Sequence, residues 1–288
     1  MIERIAIAVI GGSGLYTMPE ITQITTHYIS TPFGDPSAEI RIGTLRGKRV
    51  AFLPRHGVGH IYTPTTVPYL ANIFALKTLG VRFVLAVNAC GSLREDYAPG
   101  HIVIPDQLID YTNSRPRTFF DTGIVGHVGV AEPFSPELSE VAYQAVKSVG
   151  ATAHKGGTFL IEEGPRFATR AESHLFRQWG CSLIGMTTAP EAFLAREAEM
   201  AYTTMAHVTD YDVWHVSEQP VTVEMVIRTL HHNLELAQAA LAKAVEMLDE
   251  TADWACHHAL ENAIMTDRSK IPVDVLDKLQ PLVGRYFN

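Results

Sequence analysis

Residues 200–215 read MAYTTMAHVTDYDVWH. From Met200 to Thr209 the run carries no Lys, Arg, Asp or Glu and is rich in apolar and β-branched residues, the pattern of a strand sunk in a core. It ends in Asp210 and Asp212, which share one side of the chain if the strand stays extended, because strand side chains alternate with a period of two. Trp214 follows. Carboxylates at the mouth of a core lose water, at a cost in free energy unless a partner or a proton arrives. A core strand ending in titratable groups suggests a ligand site, since ligands of open α/β sheets gather beyond the C-terminal ends of the strands.

Outward from this stretch the chain alternates strand-like and helix-like segments. RIAIAVI (4–10) is a short strand ending in Gly11-Gly12-Ser13-Gly14, and EIRIGTL (39–45) with KRVAFL (48–53) suits a hairpin around Arg46-Gly47. Residues 65–80 have helical apolar spacing and a glycine stop at Gly80. RFVLAVNA (82–89), GHIVIPD (100–106), GGTFLIEEGPRF (156–167) and SLIGM (182–186) read as further strands. Thr169 with Glu172 is a capping-box pattern, and Thr188 with Glu191 repeats it around Pro190. Thr222 opens a long Ala- and Leu-rich helix to about Leu248. Strands interleaved with helices predict an α/β fold with a mixed, largely parallel sheet. No Pro- or Ser-rich linker or internal repeat divides it. One domain over residues 1–250 is expected, with 251–288 a helical extension of it, packed on the body or on a neighbouring subunit.

The whole chain has 288 residues, 47% hydrophobic and 19% charged, with a formal net charge of −8. That charge argues against general nucleic-acid binding, which needs clustered Lys and Arg, but leaves room for a small anion held by a few local cations. The three cysteines, Cys90, Cys181 and Cys256, lack disulfide-scaffold or metal spacing, and a reduced, cytoplasmic setting is expected. The N-terminal apolar run is too short for a signal peptide, and none approaches the ~18–20 residues of a membrane span.

The other strand ends carry an unusual polar set: Pro54-Arg55-His56-Gly57, Asn88-Ala89-Cys90-Gly91-Ser92 and Met186-Thr187-Thr188. Gly-Gly-Ser-Gly lacks the third glycine of a dinucleotide fingerprint and the Gly-Lys-Ser/Thr of a P-loop. It is either a tight turn or a set of N–H groups, with the Ser13 hydroxyl, facing an anion. Arg55 with His56 at a strand end suggests a phosphate or carboxylate site, because guanidinium pairs with such oxyanions through two hydrogen bonds. Thr187 adds a hydroxyl, and a helix N-terminus beside it adds a favourable dipole. His56 and His60 stand four apart, but Gly57 and Gly59 deny them a helix and no third ligand is near, so no metal is expected. The adjacent pairs His231-His232 and His257-His258 read as solvated or interface residues, and Cys90 as a buried, inert thiol. Phe167 is either a core residue or a face for a planar ligand.

Together these segments resemble the S-methyl-5′-thioadenosine phosphorylases of the purine nucleoside phosphorylase family. The likeness rests on IGGSGLY, TPFGDPS, RHGVGH, YLANIFALKTLG, NACGSLRE, AEPF, IEEGPRFATRAES, MTTAPE and TDYDVW, in one order over about residues 7–245. It implies a single α/β domain with a mixed, partly barrel-like central sheet flanked by helices, in trimers or hexamers whose subunits share active sites. It implies a phosphorolysis: inorganic phosphate, a co-substrate, attacks the anomeric carbon of a purine nucleoside, with no metal or organic cofactor. By the resemblance Ser13, Arg55, His56, Thr187 and the backbone at Ala89 hold phosphate. Met186 lies under the ribose and Phe167 packs on the base. Val223 and Val226 cover a 5′-methylthio group, and His127 reaches a neighbouring subunit's site.

The opening carboxylates then acquire roles. The purine leaves well only if N7 takes a proton or a strong hydrogen bond, and burial lets a carboxyl hold a proton near neutrality. Asp210 is expected to supply it. Asp212 suits the 6-amino group of adenine, whereas 6-oxopurine phosphorylases resemble this stretch but carry asparagine at the key position. Family members often have Thr at positions 13 and 88 and Ser at 168, where this chain has Ser13, Asn88 and Ala168. A 6-oxopurine or methylthioinosine phosphorylase, a hydrolase using water, and a nucleoside-binding sensor are the competing readings.

Overall fold

Strand β1 (Ile7–Gly11) is buried along its whole length and pairs in parallel with β4 (Lys48–Pro54) on one side and β5 (Phe83–Ser92) on the other. The computed structural model describes residues 4–12, 15, 18–215 and 222–287, the side chains of 225–233 aside. The remaining strands are β2 (Thr22–His27), β3 (Ile40–Leu45), β6 (Ile102–Ile104), β7 (Gln107–Tyr111), β8 (Ala153–Lys155), β9 (Thr158–Glu162), β10 (Cys181–Gly185) and β11 (Ala201–Asp210). They form one mixed sheet in the order β2-β3-β4-β1-β5-β10-β9-β7, with β11 paired to β5 and β6, and β6 to β8. Helices α1 (Tyr69–Thr78), α2 (Pro136–Ser148), α3 (Arg170–Gln178), α4 (Thr188–Glu197), α5 (Val223–Met247), α6 (Val273–Lys278) and α7 (Gln280–Phe287) flank it.

The β3–β4 hairpin turns at Arg46-Gly47 as expected. Leu45 pairs with Lys48, and both loop residues have positive φ (51° and 79°), the two-residue turn whose twist matches that of its strands. Strand β5 is the centre of the fold. Its first half is flanked by β1 and β11, both parallel to it, and its last residues pair instead with β10, antiparallel. The sheet forks there, and the ends of four strands are drawn to one place.

Two apolar clusters flank the sheet. Ile10, Ala51, Val84 and Tyr202 pack with α1, and Ile7, Val50, Phe83 and Met205 with α2 and α5. The extension after residue 250 is part of the first cluster: Leu260, Ile271, Leu279 and Val283 join the same core as Ile10. His257 is buried against Phe83 and Trp254 and lies 3.1 Å from the Arg82 carbonyl, which corrects the solvated or interface reading of that histidine. His258 stays at the surface beside Asp253, and His231 and His232 have side chains outside the described residues. Among the described residues no helix is long and apolar enough to cross a membrane.

Candidate active site

The topology brings the predicted residues together. Gly11 of β1 is level with Pro54 of β4, so Arg55 emerges beside β1 and reaches the Val87 carbonyl of β5 at 3.0 Å. Asp210 of β11 is level with Gly91 of β5. The antiparallel β10 returns along β5 and carries Met186 and Thr187 back past Asn88. Arg115, buried, ties these ends: its guanidinium donates to the Met186, Ala189 and Glu163 carbonyls at 2.6, 2.7 and 2.6 Å.

On one side lies a polar network. Arg55 is 2% exposed, and its Nε and Nη2 each donate to a Glu191 oxygen at 2.7 Å. Tyr202 donates its hydroxyl to the same carboxylate at 2.7 Å. Burial works against the Arg55 charge, but Glu191 outweighs it and the guanidinium is held above its ordinary pKa. The expected capping box at Thr188 and Glu191 is therefore not formed. Glu191 serves Arg55, the Thr188 hydroxyl is buried without a partner, and helical geometry breaks at Ala189, so the dipole expected beside Thr187 begins at Pro190. The box at Thr169 and Glu172 does form, with both hydrogen bonds present.

Thr204 donates to Asn88 Oδ1 at 2.6 Å, and Asn88 Nδ2 donates to Thr187 Oγ1 at 2.6 Å. This relay has a direction. Because Thr187 accepts from the amide, its own proton points onward as a donor. His56 Nδ1 lies 2.9 Å from the Tyr62 carbonyl, which only accepts, so Nδ1 carries the proton and Nε2 the lone pair. Its ring stacks on His60 at 4.2 Å, and burial, with the charge of Arg55 next, pushes its pKa down to about 4. Ala89 is half-buried on β5, level with His207. Ser13 lies outside the described residues.

On the other side three carboxyls share an apolar cluster of Leu93, Leu160, Ala168, Phe176, Ile184 and Trp214. Asp210 Oδ1 accepts from the Asp212 N–H at 2.8 Å and Oδ2 from Thr209 Oγ1 at 2.7 Å. Asp212 is different. It opens the 3-10 turn Asp212–Trp214 with φ of 53°, a region an L residue enters at a cost, and its Oδ2 is buried with no hydrogen bond. Burial first, and then the charge of Asp210, push its pKa up to about 6, although the nearby Ser173 hydroxyl works the other way. Gly91 makes room for the pair: a Cβ there would stand 3.0 Å from Asp210 Oδ1 and 3.3 Å from Asp212 Cβ.

The third carboxyl, Glu162, was not anticipated. It ends β9, is 7% exposed, and its carboxyl makes no hydrogen bond among the described residues. Burial, with the charge of Asp212 next, pushes its pKa up to about 8. The neighbouring Glu163 takes the opposite course, down to about 2, because Asn113, Ser114, Thr65 and Arg115 outweigh its partial burial by donating to it.

Met186 is half-buried and Phe167 is 37% exposed, which leaves its ring a free edge beside buried Ala168. Val223 opens α5 and is 63% exposed, so it is not a core valine, and the side chain of Val226 lies outside the described residues. His127 is exposed on a loop tied to the C-terminal extension, its N–H donating to Ala263 at 2.8 Å. Cys90 is buried, and burial pushes its thiol pKa well up, so it is no nucleophile. Among the described residues no group of three His, Cys, Asp or Glu is placed to hold a metal ion.

Residues 6–246 match the family model described as the phosphorylase superfamily. This chain belongs to the phosphorylase superfamily. The curated S-methyl-5′-thioadenosine phosphorylase of Chloroflexus aurantiacus is 53% identical over 283 residues, 98% of either chain. A crystal structure of methylthioadenosine phosphorylase from an antarctic soil metagenomic library superposes with a TM-score of 0.93 at 45% identity, covering 97% of this chain and 99% of that one. A single-residue mutant of adenosine/methylthioadenosine phosphorylase from Schistosoma mansoni, solved with methylthioadenosine, superposes at 0.82 with 33% identity, covering 89% of this chain and 96% of that one. The superfamily match ends at residue 246, so α6 and α7 lie beyond it. The single α/β domain and its mixed central sheet agree with the fold expected from the sequence.

Proposed function

We infer that this phosphorylase cleaves S-methyl-5′-thioadenosine with inorganic phosphate, giving adenine and 5-methylthioribose 1-phosphate. The observation that carries the reading is the placing of two unlike groups of side chains along the last residues of β5: the Asn88–Thr187 relay at one level and the Asp210/Asp212 pair over Gly91 at another. A nucleoside spanning them has phosphate at its sugar and carboxyls at its base.

In this reading Thr187 donates to a phosphate oxygen, while the Ala89 backbone, Ser13 and His56 complete the anion site. His56 accepts the P–OH of the phosphate at Nε2. Arg55, neutralised in part by Glu191, positions this side and lends it less charge than an unpaired guanidinium would. Preorganised donors of this kind need no rearrangement as charge develops. On the base side we assign the two roles the other way round from the sequence expectation. Asp210, already accepting on both oxygens, receives the 6-amino group, and Asp212 holds the proton for N7. A site that only accepts at position 6 favours adenine over 6-oxopurines. Met186 lies under the sugar and Phe167 against the base. The 5′ end is covered by the start of α5 (Val223, Val226) and by His127 of a neighbouring subunit in a trimer or hexamer. The exposure of Val223 and His127 in the isolated chain favours that sharing. The reaction uses no organic cofactor, and the setting is cytoplasmic.

The test is adenine release followed spectrophotometrically on purified oligomer, with methylthioadenosine, adenosine and inosine. Phosphate-dependent cleavage fastest with methylthioadenosine supports the reading. Turnover indifferent to phosphate, or inosine preferred, overturns it.

A further inference from the structure

His56 and His60, four apart in sequence, are brought face to face: their ring centroids lie 4.2 Å apart, with the planes 14° from parallel. Rings stacked in this way carry their nitrogen lone pairs in parallel planes, so the pair does not converge on one metal ion. The chain reaches the arrangement through an unusual loop. Gly57, Gly59 and His60 all have positive φ, at 75°, 81° and 58°. Glycine enters that region freely, whereas a residue with a Cβ enters it at a cost, and a third glycine at position 60 would have been the undemanding choice. A conformation held at a cost points to a gain made elsewhere, and here the gain is the place of the His60 ring.

The backbone around the pair is fixed. The Tyr62 N–H donates to the His56 carbonyl at 3.1 Å, and His56 Nδ1–H donates to the Tyr62 carbonyl at 2.9 Å, which closes the loop at its base. The His60 N–H donates to the Gly57 carbonyl at 3.3 Å and closes the turn inside it. Gly57 is seated so tightly that a Cβ would stand 2.9 Å from the Ser37 carbonyl oxygen. Ser37 is itself buried, its hydroxyl donating to the Pro54 carbonyl at 2.7 Å and its N–H to Asn72 Oδ1 at 2.8 Å. On this frame His60 is exposed, yet its ring is folded back over the half-buried ring of His56 rather than left in water.

One hydrogen bond does not fix an imidazole. Held at Nδ1 alone, the His56 ring can still tilt about its bond to the Tyr62 carbonyl, and the Nε2 lone pair tilts with it. A second ring lying flat on its face removes that freedom. Nε2 is the atom that accepts from the phosphate, and a hydrogen bond weakens steeply as it leaves the line of the lone pair.

We propose that His60 is a positioning residue of the phosphate site, stacking on His56 and holding Nε2 in line with the bound anion. The inference rests on the phosphorolysis reading and deepens it. His60 makes and breaks no bond in the reaction and acts only through His56, so its loss should be felt by phosphate and hardly at all by the nucleoside.

The experiment measures KM for phosphate at saturating methylthioadenosine, and KM for methylthioadenosine at saturating phosphate, in wild type, His60→Asn and His60→Phe. Asparagine tolerates the left-handed region as histidine does but brings no ring. Phenylalanine brings the ring without its nitrogens. In His60→Asn the phosphate KM should rise about fivefold, the scale of one aromatic pair, while the nucleoside KM stays within about twofold. His60→Phe should bring the phosphate KM back to near the wild-type value. An unchanged phosphate KM in His60→Asn overturns the proposal, and so does an equal rise in both constants, which is what a merely structural role would give. A His60→Phe variant as poor as His60→Asn also overturns it, because the nitrogens and not the stack would then be at work. The side chain is exposed, so neither replacement strands a buried group; should His60→Phe not fold, His60→Tyr supplies the ring in its place, with the same two outcomes. A wild type whose turnover ignores phosphate fails the phosphorolysis reading instead, before any variant is compared, so the two failures are distinguishable.

Discussion

On the Thr187 side of β5 the buried charge and the amide relay come with partners, the Thr188 hydroxyl being the exception: Arg55 has Glu191 and the Val87 carbonyl, and Asn88 joins Thr204 to Thr187. On the Asp212 side, about 10 Å along the same strand from Asn88 to Gly91 at about 3.3 Å per residue, Asp212 Oδ2 is buried without a hydrogen bond and Glu162 is buried with none among the described residues. The first region is held by its own hydrogen bonds and is ready for an anion without rearrangement. The second is kept costly until a purine, bringing N–H donors and a basic N7, relieves it. Side chains that complete a network stabilise the fold, whereas side chains left short of partners raise its energy and mark the place where chemistry is done.

If the two sides differ in this way, removing a carboxylate should have opposite effects on them. The largest change is expected from Glu191→Ala, which strands a buried guanidinium. About 3–5 kcal/mol of stability should be lost, read from the denaturation midpoint of the oligomer. A loss under about 1 kcal/mol would mean that solvent or another group already serves Arg55.

Asp212→Asn should leave stability nearly unchanged or improved, and should lower kcat/KM for methylthioadenosine about 10²-fold at pH 7 through loss of the acid. Asp210→Asn should also slow the reaction but keep the alkaline limb of the wild-type pH profile. If that limb vanishes with Asp210 and survives the loss of Asp212, the roles are reversed, as the sequence alone had suggested.

Thr187→Val removes one donor to a charged ligand, worth about 1.5–3 kcal/mol, so KM for phosphate should rise by at least about tenfold with KM for the nucleoside little changed. Equal effects on both substrates would place Thr187 elsewhere.

The smallest effect concerns stability against pH. Glu162 and Asp212 have folded pKa values above their unfolded ones, so the folded state binds the extra protons. That contribution is full below the unfolded values, near pH 4, and is lost as pH rises through about 6 and about 8. His56, lowered to about 4, acts in the other direction and only below about pH 6.5. Between pH 6.5 and 8.5 the melting temperature should therefore fall by a few degrees, and Glu162→Leu should flatten that slope. A wild-type melting temperature that rises over this range would contradict the burial of an acid.

How much of this could be read from the chain follows from what is local. The strand ending in Asp210, the Arg46-Gly47 hairpin and the capping box at Thr169 are set by neighbours in sequence, and they were legible, whereas the extension of that strand to Asp212 was not, since Asp212 turns into a 3-10 segment with φ of 53°. Glu191 was misread because a threonine three residues before a glutamate is also a capping pattern; its true partner, Arg55, is 136 residues away. Glu162 stands beside Glu163 and looks the same in sequence. One receives four donors and drops to about 2, while the other receives none and rises to about 8, and only the tertiary surroundings tell them apart. A glutamate pair at the end of an apolar strand was the available signal. The core role of His257 was likewise hidden, since its contact with Phe83 spans most of the chain.

The central claim, that one strand end divides an anion site from a purine site, is tested most directly by a crystal structure with sulfate and adenine bound together. The account predicts sulfate at hydrogen-bond distance from Thr187 Oγ1, and adenine with N7 and its 6-amino group on the Asp212/Asp210 pair, the two ligands separated by little more than a sugar ring above Met186. Adenine settling away from Asp212, or sulfate and adenine in cavities that no single nucleoside could span, would contradict it.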